Sequence, residues 1–129
     1  MTAIEKRNLP AEPIVVADDD PAQLEEISDY LRRRGHDVVE ARDGFSALAA
    51  IKKYQPRIAL IDVNMPNWDG VRVAEVASSF NHKLALILFS GDSEAIVRAN
   101  QSHTHAFAVI EKPLAMRHVE RFVNAAQAQ

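Results

Sequence analysis

The chain has no cysteine among its 129 residues. That absence excludes a disulfide framework, thiolate zinc sites and thiol nucleophiles together. Long apolar runs are missing as well. The longest, Leu84 to Phe89, falls far short of the roughly 20 residues a membrane span needs. A basic excess is also missing: 15 Lys+Arg stand against 18 Asp+Glu, a net charge of −3, which argues against direct nucleic-acid binding through an overall basic field. The first ten residues carry Glu5, Lys6, Arg7 and Asn8 instead of the apolar stretch of a secretory signal. Internal repeats and low-complexity blocks do not occur. What is present, 47% hydrophobic and 26% charged residues, describes a soluble globular chain able to sustain one core. The expected organisation is a polar N-terminal tail over residues 1–12 followed by a single domain over 13–129, in the cytoplasm.

Along that domain, short apolar runs alternate with helical patterns at a period of roughly 25 residues. Ile14 to Ala17 stops abruptly at Asp18-Asp19-Asp20. Asp20 before Pro21 is a helix-start signal, a side-chain cap followed by a residue already set for the first turn. Leu24, Ile27 and Leu31 then form one apolar face. Glu25 and Glu26 near the start and Arg32, Arg33 and Arg34 near the end suit the helix dipole, the arginines facing water. Gly35 is the expected left-handed stop.

Val38 and Val39 centre a second strand, and Asp43-Gly44 turns into a helix with Phe45, Leu48 and Ala49 on one side. Ile58 to Ile61 ends at Asp62, and the loop from Val63 to Gly70 leads to a helix carrying Val73, Ala77 and Phe80. Leu84 to Phe89 ends at Ser90-Gly91-Asp92, before a polar helix over about 93–102. Ala106 to Ile110 stops at Glu111-Lys112-Pro113, and Met116, Val119, Phe122, Val123 and Ala126 mark the last helix. Four of the five strand runs are almost wholly apolar, as strands covered on both faces are. Five strand–helix units with right-handed crossovers make an α/β, flavodoxin-like, doubly wound parallel sheet in the order 2-1-3-4-5, with five helices.

Ligands bind such sheets beyond the carboxyl ends of the strands, at the switch point between strands 1 and 3. The residues that end the runs therefore matter most: Asp18, Asp19, Asp62, Ser90 and Lys112. Three carboxylates drawn into one basin call for compensation, and a hard divalent cation with oxygen ligands, Mg²⁺, supplies it. A metal, a lysine and a hydroxyl around a carboxylate are equipment for receiving a phosphoryl group. Asp62, alone on the central strand, is the candidate nucleophile, while adjacent Asp18 and Asp19 suit the metal.

Over roughly residues 13–128 the chain resembles the receiver domain of two-component response regulators. The matching stretches are Val-Val-Ala-Asp-Asp-Asp-Pro at 15–21, Leu-Ile-Asp-Val-Asn-Met-Pro-Asn-Trp-Asp-Gly at 60–70, Phe-Ser-Gly-Asp at 89–92 and Glu-Lys-Pro-Leu at 111–114. The resemblance implies a phosphoacceptor at Asp62. It implies Mg²⁺ bound directly by Asp19, largely through water by Asp18, and by the main-chain carbonyl of Asn64. Ser90 and Lys112 would contact the phosphoryl group, and the peptide before Pro113 would be cis.

It further implies a sensor histidine kinase or histidine phosphotransfer protein as donor, and hydrolysis at a rate influenced by Asn64 and Asp92. Rather than an enzyme with an external substrate, the chain would be a switch that assists its own phosphorylation and dephosphorylation. The switching face for a downstream effector or output domain would be helix 4, strand 5 and helix 5, with Ile96, Val97, Phe107 and Val109 on it. Whether two copies pair as a homodimer is left open. Two positions depart from the pattern: Val109 stands where many receivers carry Tyr or Phe, and His105 where a glycine is common.

Three rival readings stand beside this one. A receiver-like interaction module working without phosphorylation would keep the same side chains. A phosphatase using an Asp-x-Asp pair, Asp18 and Asp20, leaves Asp62 without a nucleophilic role. A flavodoxin proper requires a phosphate-cradling loop where strand 1 ends in acids. His103 and His105 are too few to bind metal and read as loop residues. Trp68 reads as a partly covered loop residue beside the site.

Overall fold

The computed structural model describes residues 12–66, 70–81, 83–101 and 106–128. The polar tail up to residue 11, Trp68, His103, His105 and Gln129 lie outside the described residues, as does the side chain of Phe80. Elements follow in the order β1 (Ile14–Ala17), α1 (Pro21–Arg33), β2 (Val38–Ala41), α2 (Gly44–Tyr54), β3 (Ile58–Asp62), α3 (Gly70–Phe80), β4 (Ala85–Ser90), α4 (Ser93–Gln101), β5 (Ala108–Glu111) and α5 (Met116–Gln127). The five strands pair in parallel as β2-β1-β3-β4-β5, the doubly wound order expected from the sequence.

Burial follows strand position. Every residue of β1, β3 and β4 is buried, because helices cover both faces of the sheet centre. β2 and β5 are the edges and are only partly covered. Alternation along each strand divides the core in two. Val15, Ala17, Ala59, Ile61, Leu86 and Leu88 pack with Ile51, Val73, Ala77 and Ala95 on the face of α2, α3 and α4. Val16, Leu60, Ile87 and Phe89 pack with Leu24, Ile27, Leu31, Val119 and Val123 on the face of α1 and α5.

Local signals act as their chemistry predicts. Asp20 Oδ1 accepts from Ala22 N at 3.0 Å and caps α1, with Pro21 in its first turn. Asp43 Oδ1 accepts from Ser46 N at 2.7 Å and caps α2. That capping bond holds the Asp43 carboxyl below its ordinary pKa. Gly35 has φ 90°, the left-handed region in which a Cβ is strained.

Three expectations need correction. The buried side of α2 is Ala47, Ala50 and Ile51. Phe45 is 65% exposed and Ala49 is exposed, so the buried face is turned from the one the sequence suggested, with Leu48 half-buried against the core at its border. Glu25 and Glu26 fall beyond the first turn of α1, leaving the Asp20 cap as the anionic group at its start. The arginine run does more than face water: Arg32 Nη1 pairs with Glu40 at 2.8 Å, tying α1 to β2, and Arg34 Nη1 pairs with Glu120 at 3.1 Å, tying α1 to α5. Tyr30 joins the second tie, donating to Glu120 at 2.6 Å, which raises the phenol pKa. Strand ends also move by a residue or two; β4, for example, runs 85–90 and takes Ser90 into the ladder.

Candidate functional site

Parallel pairing brings the ends of four strands to one level, and ladder bonds continue past them. Asp18 N donates to Ala41 O at 3.1 Å, Val63 N to Phe89 O at 2.9 Å, and Lys112 N to Ser90 O at 2.8 Å. These bonds place Asp18, Asp62, Ser90 and Lys112 around one basin at the carboxyl edge of the sheet. Asp18 and Ser90 are fully buried, Asp62 is 4% exposed, and Asp19 is open to solvent.

Within the basin, Lys112 Nζ donates to Asp62 Oδ2 at 3.0 Å and stands 3.6 Å from Asp18 Oδ2. Its ammonium also lies 5.3 Å from the centroid of the buried Phe89 ring, an attractive contact with the ring face. The other Asp62 oxygen, Oδ1, accepts from Asn64 N at 3.0 Å. Asp18 Oδ1 accepts from Asp20 N at 2.9 Å, whereas Asp18 Oδ2 is buried with no hydrogen-bond donor among the described residues. Ser90 Oγ does not meet Asp62; it accepts from Asn64 Nδ2 at 3.2 Å and from Asp92 N at 3.0 Å.

The electrostatics follow from this packing. Burial pushes the Asp18 carboxyl up to about 6, the Asp20 N–H pulls against that shift, and the negative field of Asp62 adds to it. Burial alone would lower the Lys112 pKa, but the bond to Asp62 and the fields of Asp62 and Asp18 outweigh it, so the net shift is upward. One ammonium faces two buried carboxylates and leaves negative charge uncompensated.

Asp18, Asp19 and Asp62 each offer an oxygen, and these oxygens lie within 4.8 Å of one another. The donor-free Asp18 Oδ2, the all-oxygen set and the solvent-open side at Asp19 fit a hard divalent cation that retains water, as Mg²⁺ does. Asp20 is not in this group because its carboxylate caps α1. The Asp-x-Asp phosphatase arrangement therefore loses its second acid.

Three contributors were not visible in sequence. The Asn64 side chain holds Ser90, a contact across 26 positions of the chain. Phe89 lies under Lys112 because β4 and β5 are neighbours. Gly70 N donates to Val63 O at 2.7 Å, and a Cβ on Gly70 would collide with the Asp62 carbonyl oxygen and lie 2.7 Å from Val63 Cα. Only glycine lets α3 begin so close to the end of β3. The Lys112–Pro113 peptide is cis, as the resemblance implied.

Comparison with known proteins agrees with this fold. The chain matches the family described as the response regulator receiver domain over residues 14–124, and it belongs to that family. The receiver domain of NtrX from Brucella abortus superposes with a TM-score of 0.81 at 27% identity, covering 90% of this chain and 98% of that one. A CheY-like receiver domain protein from Methanospirillum hungatei JF-1 gives 0.82 at 25% identity, covering 92% and 96%. The probable transcriptional regulatory protein NarL of Mycobacterium tuberculosis is 36% identical over 86 residues, 65% of this chain and 40% of that protein.

Three curated relatives are spanned over only 13%, 33% and 40% of their own lengths. The chain is thus a receiver of the two-component response-regulator type, a family of phosphoacceptor switches that typically bind Mg²⁺ at an aspartate cluster and interact with histidine kinases and output domains. Among the described residues, no helix is long and apolar enough to cross a membrane.

Proposed function

We propose that Asp62 accepts a phosphoryl group from a phosphohistidine on a sensor histidine kinase or a histidine phosphotransfer protein. The observation that carries this is the bracketing of Asp62, with Lys112 Nζ on Oδ2 and Asn64 N on Oδ1, each at 3.0 Å, beside two further carboxylates. The unit is residues 13–129, with 1–12 as a tail, and it works in the cytoplasm. Mg²⁺ would be held by Asp18, Asp19, Asp62 and the main-chain carbonyl of Asn64. When bound, it offsets charge on the phosphoryl oxygens.

In the transfer, an Asp62 oxygen forms a bond to phosphorus while the P–N bond breaks, and the electron pair leaves on the imidazole nitrogen. Lys112 changes partner from the carboxylate to a phosphoryl oxygen, and the Ser90 hydroxyl donates to another. Hydrolysis reverses the modification: water attacks phosphorus, the bond to Asp62 breaks, and the carboxylate and inorganic phosphate are restored. The chain assists both steps on itself and turns over no external substrate.

Recruitment of Ser90 biases the face formed by α4, β5 and α5, where Val97 is 53% exposed and Ile96, Phe107 and Val109 are half-buried. That face engages a downstream effector or output domain, without direct nucleic-acid contact. Incubation with acetyl phosphate and Mg²⁺ followed by intact mass tests the assignment. One phosphoryl group should appear on the wild type and none on Asp62→Asn. An unmodified wild type, under conditions that modify a control receiver, leaves the chain an interaction module that works without phosphorylation.

A further inference from the structure

We propose that the Asn64 carboxamide is a positioning group that latches the Ser90 hydroxyl in its resting place and so sets how readily the domain switches. The inference rests on Asp62 being the phosphoacceptor. A serine hydroxyl has two acceptor lone pairs and one hydrogen. In the fully buried Ser90 both lone pairs are engaged, by Asn64 Nδ2 at 3.2 Å and by Asp92 N at 3.0 Å. Serine is not β-branched, so its own Cβ does little to hold χ1. The external donors therefore decide where Oγ rests.

Asn64 is suited to the task because it grips both ends of the movement. Its main-chain N–H holds Asp62 Oδ1 at 3.0 Å while its side chain holds Ser90. For Ser90 to reach a phosphoryl group on Asp62, the hydroxyl must leave Asn64 Nδ2. The cost of that bond belongs to the resting state alone and opposes switching. The second donor connects the latch to α4: Asp92 Oδ1 accepts from Glu94 N at 3.0 Å, and Asp92 O accepts from Ile96 N at 3.0 Å. A hydroxyl that departs takes away the acceptor for the N–H of Asp92, the residue just before α4. With Val109 in place of an aromatic ring, this hydrogen-bond route joins the basin to the switching face.

Substituting Asn64→Ala removes the amide and keeps the main-chain N–H and carbonyl. The Asn64 position is solvent-exposed, so the fold is preserved. Amide NMR spectra and beryllofluoride titrations in Mg²⁺ are compared across wild type, Asn64→Ala, Ser90→Ala and the double variant. Without beryllofluoride, the Asp92 amide resonance of Asn64→Ala should lie part-way toward its beryllofluoride-saturated position. Its beryllofluoride dissociation constant should fall about three- to tenfold, the worth of one neutral hydrogen bond. In the Ser90→Ala background the same substitution should change affinity by less than about twofold, since a latch without its bolt has nothing to hold.

An Asn64→Ala spectrum that coincides with wild type, while wild type responds to beryllofluoride, overturns the latch and leaves the phosphoacceptor assignment standing. Tightening that persists undiminished in Ser90→Ala overturns it too. A wild type that gives no response at all removes the phosphoacceptor reading, and the latch with it.

Discussion

Lys112 Nζ lies 3.0 Å from Asp62 Oδ2 and is shared with Asp18, whose Oδ2 is 3.6 Å away. One cation thus balances part of the charge of two buried acids. Its removal takes the ammonium away from both carboxylates at once. Lys112→Ala should slow labelling by acetyl phosphate about a hundredfold, the scale for losing one donor to developing phosphoryl charge. Timed intact-mass measurements read this directly. A variant that labels at the wild-type rate would show that Lys112 serves packing alone.

The raised Asp18 pKa predicts a pH dependence whose sign is opposite with and without metal. Between about pH 4 and about 6 the folded protein keeps a proton that the unfolded chain has lost, because burial lifts this carboxyl from 3.8 to about 6. In EDTA, this group's contribution to stability therefore falls as pH rises through that window and is level above it. The total change is on the order of 2–3 kcal/mol. Mg²⁺ competes with the same proton, so its stabilisation should grow with pH up to about 6. Asp18→Asn should flatten both responses. Urea denaturation at pH 5 and pH 7.5, with EDTA or Mg²⁺, is the check.

Gly70 meets the end of β3 so closely that any side chain displaces Asp62 or Val63 backbone. Gly70→Ala should cost about 1–3 kcal/mol by overpacking and should also slow phosphoryl transfer, because the displaced backbone carries the nucleophile. Thermal denaturation and labelling rate should fall together; loss of stability with an unaltered rate would separate the two.

Phe89 combines full burial with the Lys112 contact at 5.3 Å. Phe89→Leu should lower stability by about 1–2 kcal/mol through poorer packing and loss of the ring face. It should also lower labelling several-fold, whereas Phe107→Leu, at a half-buried ring packed against the same core cluster, should leave labelling near wild type. Equal labelling by the two variants would show that the ring face contributes nothing to placing Lys112.

Much of this protein is written in short-range pattern. Apolar runs that each stop at an acid, hydroxyl or lysine are enough to predict five parallel strands and their order, because strands buried on both faces cannot carry alternating polar residues. The same stops locate Asp18, Asp19, Asp62, Ser90 and Lys112, since the carboxyl ends of such strands lie together. Other features depend on distances across the fold. The phase of α2 is not legible in the hydrophobic pattern because small alanines, Ala47 and Ala50, fill the space against the sheet and leave Phe45 outside. The adjacent acids Asp18, Asp19 and Asp20 look alike in sequence, but helix capping takes Asp20 and leaves the other two to the basin. Asn64 and Ser90 are 26 residues apart, and their hydrogen bond exists only because β3 and β4 are neighbours. Sequence pattern decides which groups arrive at the basin, since covalent order and burial suffice for that. Which of them touch is settled by packing, because side-chain hydrogen bonds depend on ångström-scale positions that no periodicity encodes.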